Sequence, residues 1–141
     1  ILCEKVLQEK DGVLSIIRVI DRVVVSAAGP DAPEDMPNFP YGLTALVALK
    51  SGNAVGAVEV RLALEKPSGF KSEIGSHTLL MEGQERGQNL VMNLNLEFAE
   101  QGLYWIDVYL KKLDSKDYEL LTRMPLRVMY LRTTGGQQRL T

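Results

Sequence analysis

A chain of 141 residues, 45% hydrophobic and 24% charged, is long enough to bury one core and has neither a disordered composition nor a bilayer-length apolar run. Its net charge of −2 supplies no basic surplus for nucleic acid, and no block of five like charges occurs. The single cysteine, Cys3, excludes an intrachain disulfide, and a cytoplasmic protein with no membrane partner is the default expectation.

Turn residues recur at short intervals with alternating apolar runs between them, the all-β pattern. Leu2 to Gln8 and Val13 to Ile20 read as a hairpin closed by Lys10-Asp11-Gly12, where Asp-Gly accommodates the positive φ of a tight turn. The first arm is ambiguous, because Leu2/Val6 and Cys3/Leu7 also suit a helical turn. The second arm is apolar on both faces (Ile16 and Ile17, Val19 and Ile20), which predicts a strand buried on both sides. Asp21 to Ser26 continues it or opens another short strand. Residues Ala27 to Gly42 carry four of the six prolines and the acids Asp31, Glu34 and Asp35, so they read as a loop. A loop of that length is functional or packed down, and Met36, Phe39 and Tyr41 favour packing.

Leu43–Lys50 and Ala54–Glu65 follow, joined by Ser51-Gly52-Asn53. In the second, Val58, Val60, Leu62 and Leu64 share one face, and Glu59, Arg61, Ala63 and Glu65 the other. Beyond Lys66-Pro67-Ser68-Gly69 a less regular stretch runs to Gly75, then a strand over His77–Glu82. Leu90, Met92, Leu94, Leu96 and Phe98 face inward from the clearest strand. Leu103–Lys111 and Tyr118–Leu131 pair across the polar loop Leu113 to Asp117. The expected architecture is an antiparallel β-sandwich of about eight strands without a helix, one domain over residues 1–131. Arg132 to Thr141, lacking periodicity, is expected to be a flexible tail.

The segment Glu100-Gln101-Gly102-Leu103-Tyr104-Trp105-Ile106 resembles the Asp-x-Gly/Ala-x-Tyr-x-Cys stretch of immunoglobulin-type domains. That resemblance implies an Ig-like sandwich with Tyr104 as the "tyrosine corner" and Ile106 packing where the family has its second disulfide cysteine. Glu100 stands in place of the usual Asp, no cysteine partner exists, and the inter-sheet tryptophan has no counterpart on a third strand. More broadly, Leu2-Cys3-Glu4, Asp11-Gly12 and Ile16-Ile17-Arg18-Val19, with the close Leu121 to Val128, resemble an uncharacterised bacterial family of small β-sandwich proteins. That family carries no assigned activity.

No residue set makes a convincing catalytic or cofactor site. Cys3 and His77 are the only thiol and imidazole, and nothing in the sequence brings them together; a lone Cys on an apolar strand is a small core residue. One His and one Cys leave a transition-metal shell short, and Asp31, Glu34 and Asp35 lack EF-hand spacing. The glycines sit at turns or strand ends, outside any phosphate-cradling loop. Arg123, Arg127 and Arg132 with Lys111 and Lys112 offer a basic stripe, read more simply as the alternating charges of a wet sheet face. On that same outward face alternation places Leu103, Trp105, Asp107 and Tyr109, beside Leu121, Pro125, Arg127 and Met129. Exposed aromatics near Met and Arg predict an interface. The expectation is a non-catalytic protein-interaction or homodimerising module acting through Trp105, Asp107, Tyr109, Arg127 and Met129, with no cofactor. The alternative is a small-molecule or carbohydrate-binding module using the same aromatics under the proline-rich loop. A distant third is a modifier-like protein processed at Gly135-Gly136.

Overall fold

A computed structural model describes residues 1–134 and 137–140 of the chain. Ten strands occur among these residues and no helix: β1 (Leu2–Gln8), β2 (Leu14–Val19), β3 (Arg22–Ala28), β4 (Phe39–Lys50), β5 (Val55–Glu65), β6 (Lys71–Glu82), β7 (Gly87–Phe98), β8 (Gly102–Lys112), β9 (Glu119–Thr134) and β10 (Gln137–Leu140). No helix in the described chain is therefore long and apolar enough to cross a membrane.

The strands form two sheets, one ordered β2-β1-β4-β7 and the other β10-β9-β8-β5-β6 with β3 along β9. The core lies between them. Leu43, Ala45, Val47, Leu90, Leu94, Leu96 and Phe98 face in from the first sheet; Val60, Leu62, Leu64, Tyr104, Ile106, Val108, Leu126, Val128 and Tyr130 face in from the second. These are the positions that a two-residue alternation puts on one face, and burying their apolar area drives the sheets together. Phe98 and Tyr104 meet edge-on across the layer, ring centroids 4.9 Å apart.

The corner into β8 follows the motif. Tyr104 donates its hydroxyl proton to the Glu100 carbonyl at 2.6 Å. Gly102 holds φ at +138°, and a Cβ there would come within 2.8 Å of Pro67 Cγ, so both its backbone angle and its lack of side chain are required. The proline-rich connection is packed down: Tyr130 donates to the Pro33 carbonyl at 2.6 Å, Arg132 Nε to the Ala32 carbonyl at 3.2 Å, and Met36 lies against the core.

Several sequence expectations are corrected. The sandwich is not wholly antiparallel, because β3 is a separate strand running parallel to β9, with Arg22 to Ala28 in register with Arg127 to Thr133. The loop ends early, since Phe39 and Pro40 already pair with Phe98 and Glu97; Pro40 tolerates this because β1 leaves β4 after Cys3, freeing the flank where its missing N–H would be needed. Strand β6 begins at Lys71 rather than His77, its irregular reading explained by a register shift opposite Leu62/Ala63. The second hairpin arm is not buried on both sides: Ile16 and Ile17 are each 37% exposed, Val13 60% and Val19 69%. The helical option for the first arm also falls, as β1 is extended. Strand β9 continues to Thr134 and pairs with β10. The Gly135-Gly136 processing site lies outside the described residues.

Candidate functional site

The outer face of the second sheet is built on β8. Tyr104, Ile106 and Val108 point into the core, so Leu103, Trp105, Asp107 and Tyr109 point away from it. In register, Trp105 lies between Glu65 and Pro125, and Asp107 between Ala63 and Arg123. Ala63 ends at its Cβ, which leaves space for Lys71 of β6 to reach across β5 and place Nζ 3.2 Å from Asp107 Oδ2. From the opposite side Arg123 donates through Nε to Asp107 Oδ1 at 2.7 Å, and its Nη2 bonds Glu65. The same guanidinium lies 4.5 Å from the Trp105 ring centroid. Roofed by these side chains, Asp107 is 0% exposed although it stands on the sheet's outer face.

A second half of the network surrounds Tyr118. Arg61 lies 4.2 Å over its ring, the Tyr118 hydroxyl donates to Glu59 at 3.0 Å, and Lys111 Nζ comes within 3.9 Å of the same carboxylate. Arg61 also approaches Glu59 at 3.6 Å and Glu73 at 3.4 Å; the Nε contact with Glu73 has ion-pair distance but not hydrogen-bond alignment. Tyr109 stands edge-on to Tyr118, 6.5 Å away, and accepts from Lys71 Nζ at 3.4 Å. Four cations (Arg61, Lys71, Lys111, Arg123) thus face four carboxylates (Glu59, Glu65, Glu73, Asp107), and the face is locally neutral.

The titrations follow from these contacts. Hydrogen bonds to Tyr109 and then to Asp107 hold the Lys71 ammonium above its ordinary range. Asp107, then Glu65, does the same for the Arg123 guanidinium. Partial desolvation, helped by Glu59, pushes the Tyr118 phenol up.

Between the two halves lies a groove of about 230 Å³ lined by Arg61, Ala63, Lys71, Ser72, Glu73, Tyr109 and Tyr118. Two register shifts flank it, one between Leu62 and Ala63 and one between Val108 and Tyr109. Such irregularities sharpen the local twist and re-aim side chains, which hollows a face that regular pairing would leave flat.

Of the residues singled out in the sequence, Trp105, Asp107 and Tyr109 share this face. Trp105 and Tyr109 are half-buried rather than fully exposed. Arg127 is exposed opposite Leu103, and Met129 is half-buried beside Val24 of β3; both lie further along β9, outside the ion-pair network. The supposed basic stripe dissolves into pairs, Arg123 and Lys111 each being met by acids. Cys3 is buried at the β1–β4 ladder, while His77 is exposed on β6 in the other sheet. Among the described residues no three His, Cys, Asp or Glu side chains gather closely enough to hold a metal ion. The proline-rich loop sits by Ala99 to Gln101, at the end of β8 remote from Tyr109, so it does not cover the groove. Sequence reasoning missed Lys71, Tyr118 and the part played by Ala63. The one signal was an alanine interrupting the charged outer row of β5.

A separate surface is the β1–β2 hairpin. Strand β1 pairs with β4 only at Leu2 and Cys3, so from Glu4 onward the hairpin has no sheet beside β1. Its far edge, β2, ends the sheet. Leu14 and Ile16 lie on one face with Val6; Ile17 and Val19 lie on the other with Leu7. No known protein family, curated protein or solved structure matches this chain.

Proposed function

We propose that the chain is a non-catalytic interaction module that pairs with a second copy of itself along β2. The observation that carries this reading is the exposure of Ile16 and Ile17 on opposite faces of a terminal strand. A two-stranded hairpin standing alone is marginally stable in water, and an apolar free edge invites pairing. Arg18, at φ +53°, bends the strand after Ile17 and confines that pairing to Leu14 to Ile17. A second copy is the occupant favoured here because edge-to-edge pairing of the same strand about a two-fold axis closes on itself, satisfies both free edges and lays the two strands' apolar rows side by side.

An Ig-like sandwich is the architecture we propose for the module. Support comes from the Tyr104–Glu100 corner and from strand order, in which β4 and β7 take the places of B and E, and β5, β8 and β9 those of C, F and G.

Cysteine crosslinking tests the pairing. Under mild oxidation an Ile16→Cys variant should form a disulfide-linked dimer, whereas Val55→Cys, on the other sheet and more exposed (79% against 37%), should stay monomeric. Equal crosslinking of the two variants would contradict the reading.

A further inference from the structure

The strongest unassigned feature is the groove between Tyr109, Tyr118, Lys71 and Glu73, on the sheet opposite the β1–β2 hairpin. We infer that it binds a neutral, hydroxyl-rich ring the size of one pyranose. The inference stands apart from the pairing of β2 and does not rest on it.

Charge selects the class. Arg61 is met by Glu59 and Glu73, Lys71 by Asp107, and Glu59 also by Lys111, so around the groove three cations face three carboxylates with no surplus of either sign. An anion would have to compete with Asp107 for Lys71, and a cation with Arg61 for Glu73. A neutral ligand breaks no ion pair. Counting valences then places its hydrogen bonds. The Lys71 ammonium has three N–H groups; two are directed at Asp107 and Tyr109, and the third is open to an acceptor on a side chain 47% exposed. The Tyr109 oxygen accepts from Lys71, which leaves its own proton to donate. The Glu73 side chain is 47% exposed and its carboxylate only loosely held by Arg61, so it accepts from a hydroxyl. Two donors and one acceptor thus border the groove, a set that neighbouring hydroxyls, each both donor and acceptor, can satisfy.

The other wall supplies the apolar half. Tyr109 and Tyr118 meet edge-to-face at 83°, forming a corner against which the C–H face of a sugar ring can lie, and Ala63 makes the floor. Arg61 over one face of Tyr118 and the Tyr118–Glu59 bond fix that ring before any ligand arrives, which lowers the ordering cost of binding. A volume of about 230 Å³ admits one ring and not a chain buried along its length.

The test is an amide NMR titration of the full chain with the methyl glycosides of glucose, galactose, mannose and N-acetylglucosamine. Phosphate, acetate and tetramethylammonium serve as charged arms. At least one glycoside should shift the Ala63, Ser72, Glu73 and Tyr109 amides in a saturable way with Kd in the millimolar range, about 1–10 mM. Ala63→Leu, which fills the floor, and Tyr118→Ala, which removes the wall, should each weaken that binding at least about tenfold while the remaining spectrum stays folded. Absence of shifts with all four glycosides, shifts caused as strongly by a charged arm, or binding retained in both variants would overturn the assignment.

Discussion

The Nε of Arg123 donates to Oδ1 of Asp107 at 2.7 Å, and the carboxylate it meets has no exposure to water although it stands on the outer face of a sheet. Lys71 closes the opposite side, reaching over Ala63. The pair therefore does more to fix the positions of Trp105, Lys71 and Tyr109 than a solvent-exposed ion pair would, such pairs contributing little in water.

Removing one partner should be costly because a buried charge is left behind. Arg123→Ala should destabilise the fold, though by less than the full cost of breaking a buried pair because Lys71 remains in place, and by more than Asp107→Asn. Asp107→Asn, which leaves only half-exposed cations unpaired, should cost about 1 kcal/mol. Urea unfolding of both variants checks the order; equal costs would mean that Asp107 is better hydrated than its burial implies.

Tyr104→Phe removes one hydroxyl from an otherwise unchanged core ring. The lost bond to the Glu100 carbonyl should cost about 1–1.5 kcal/mol. The entry into β8 should loosen, seen as faster amide exchange near Gln101 and Gly102. A variant as stable and as protected as the parent would remove the corner from the account.

Desolvation raises the Tyr104 phenol above its ordinary value of 10.0. A group whose folded pKa is raised gives stability that is fully present below the unfolded pKa and is lost as pH climbs through the folded one. Stability should accordingly fall as pH rises past about 10, and Tyr104→Phe should flatten that alkaline limb. A limb of unchanged slope in the variant would assign it to other groups.

Much of the frame was legible because single strands encode it. The alternations Val58 to Leu64 and Leu90 to Phe98 place their inward residues where a period of two puts them, and the Tyr104 corner is a local motif. What escaped depends on partners distant in sequence. Asp107 reads as a surface acid, and only Lys71, 36 residues away, and Arg123, 16 residues away, roof it over. Tyr109 was legible as an outward aromatic, but its groove needs Tyr118 and two register shifts that no alternation shows. Strand β2 misled for a different reason. A run apolar on both faces looks the same whether the fold covers it or leaves it exposed, as it does Ile16, Ile17 and Val19. The parallel course of β3 was hidden because a short apolar strand carries no mark of its direction.

The pairing of two copies through β2 is tested most directly by light scattering on the eluting protein, for the parent chain and for an Ile16→Lys, Ile17→Lys double variant. At about 100 µM, where a pairing with Kd near 1 µM is essentially complete, the parent should show twice the 15.7 kDa of a single chain, and the double variant 15.7 kDa with an unchanged β-sheet spectrum. A parent chain of 15.7 kDa at that concentration, or a double variant that remains twice that mass, would contradict the account.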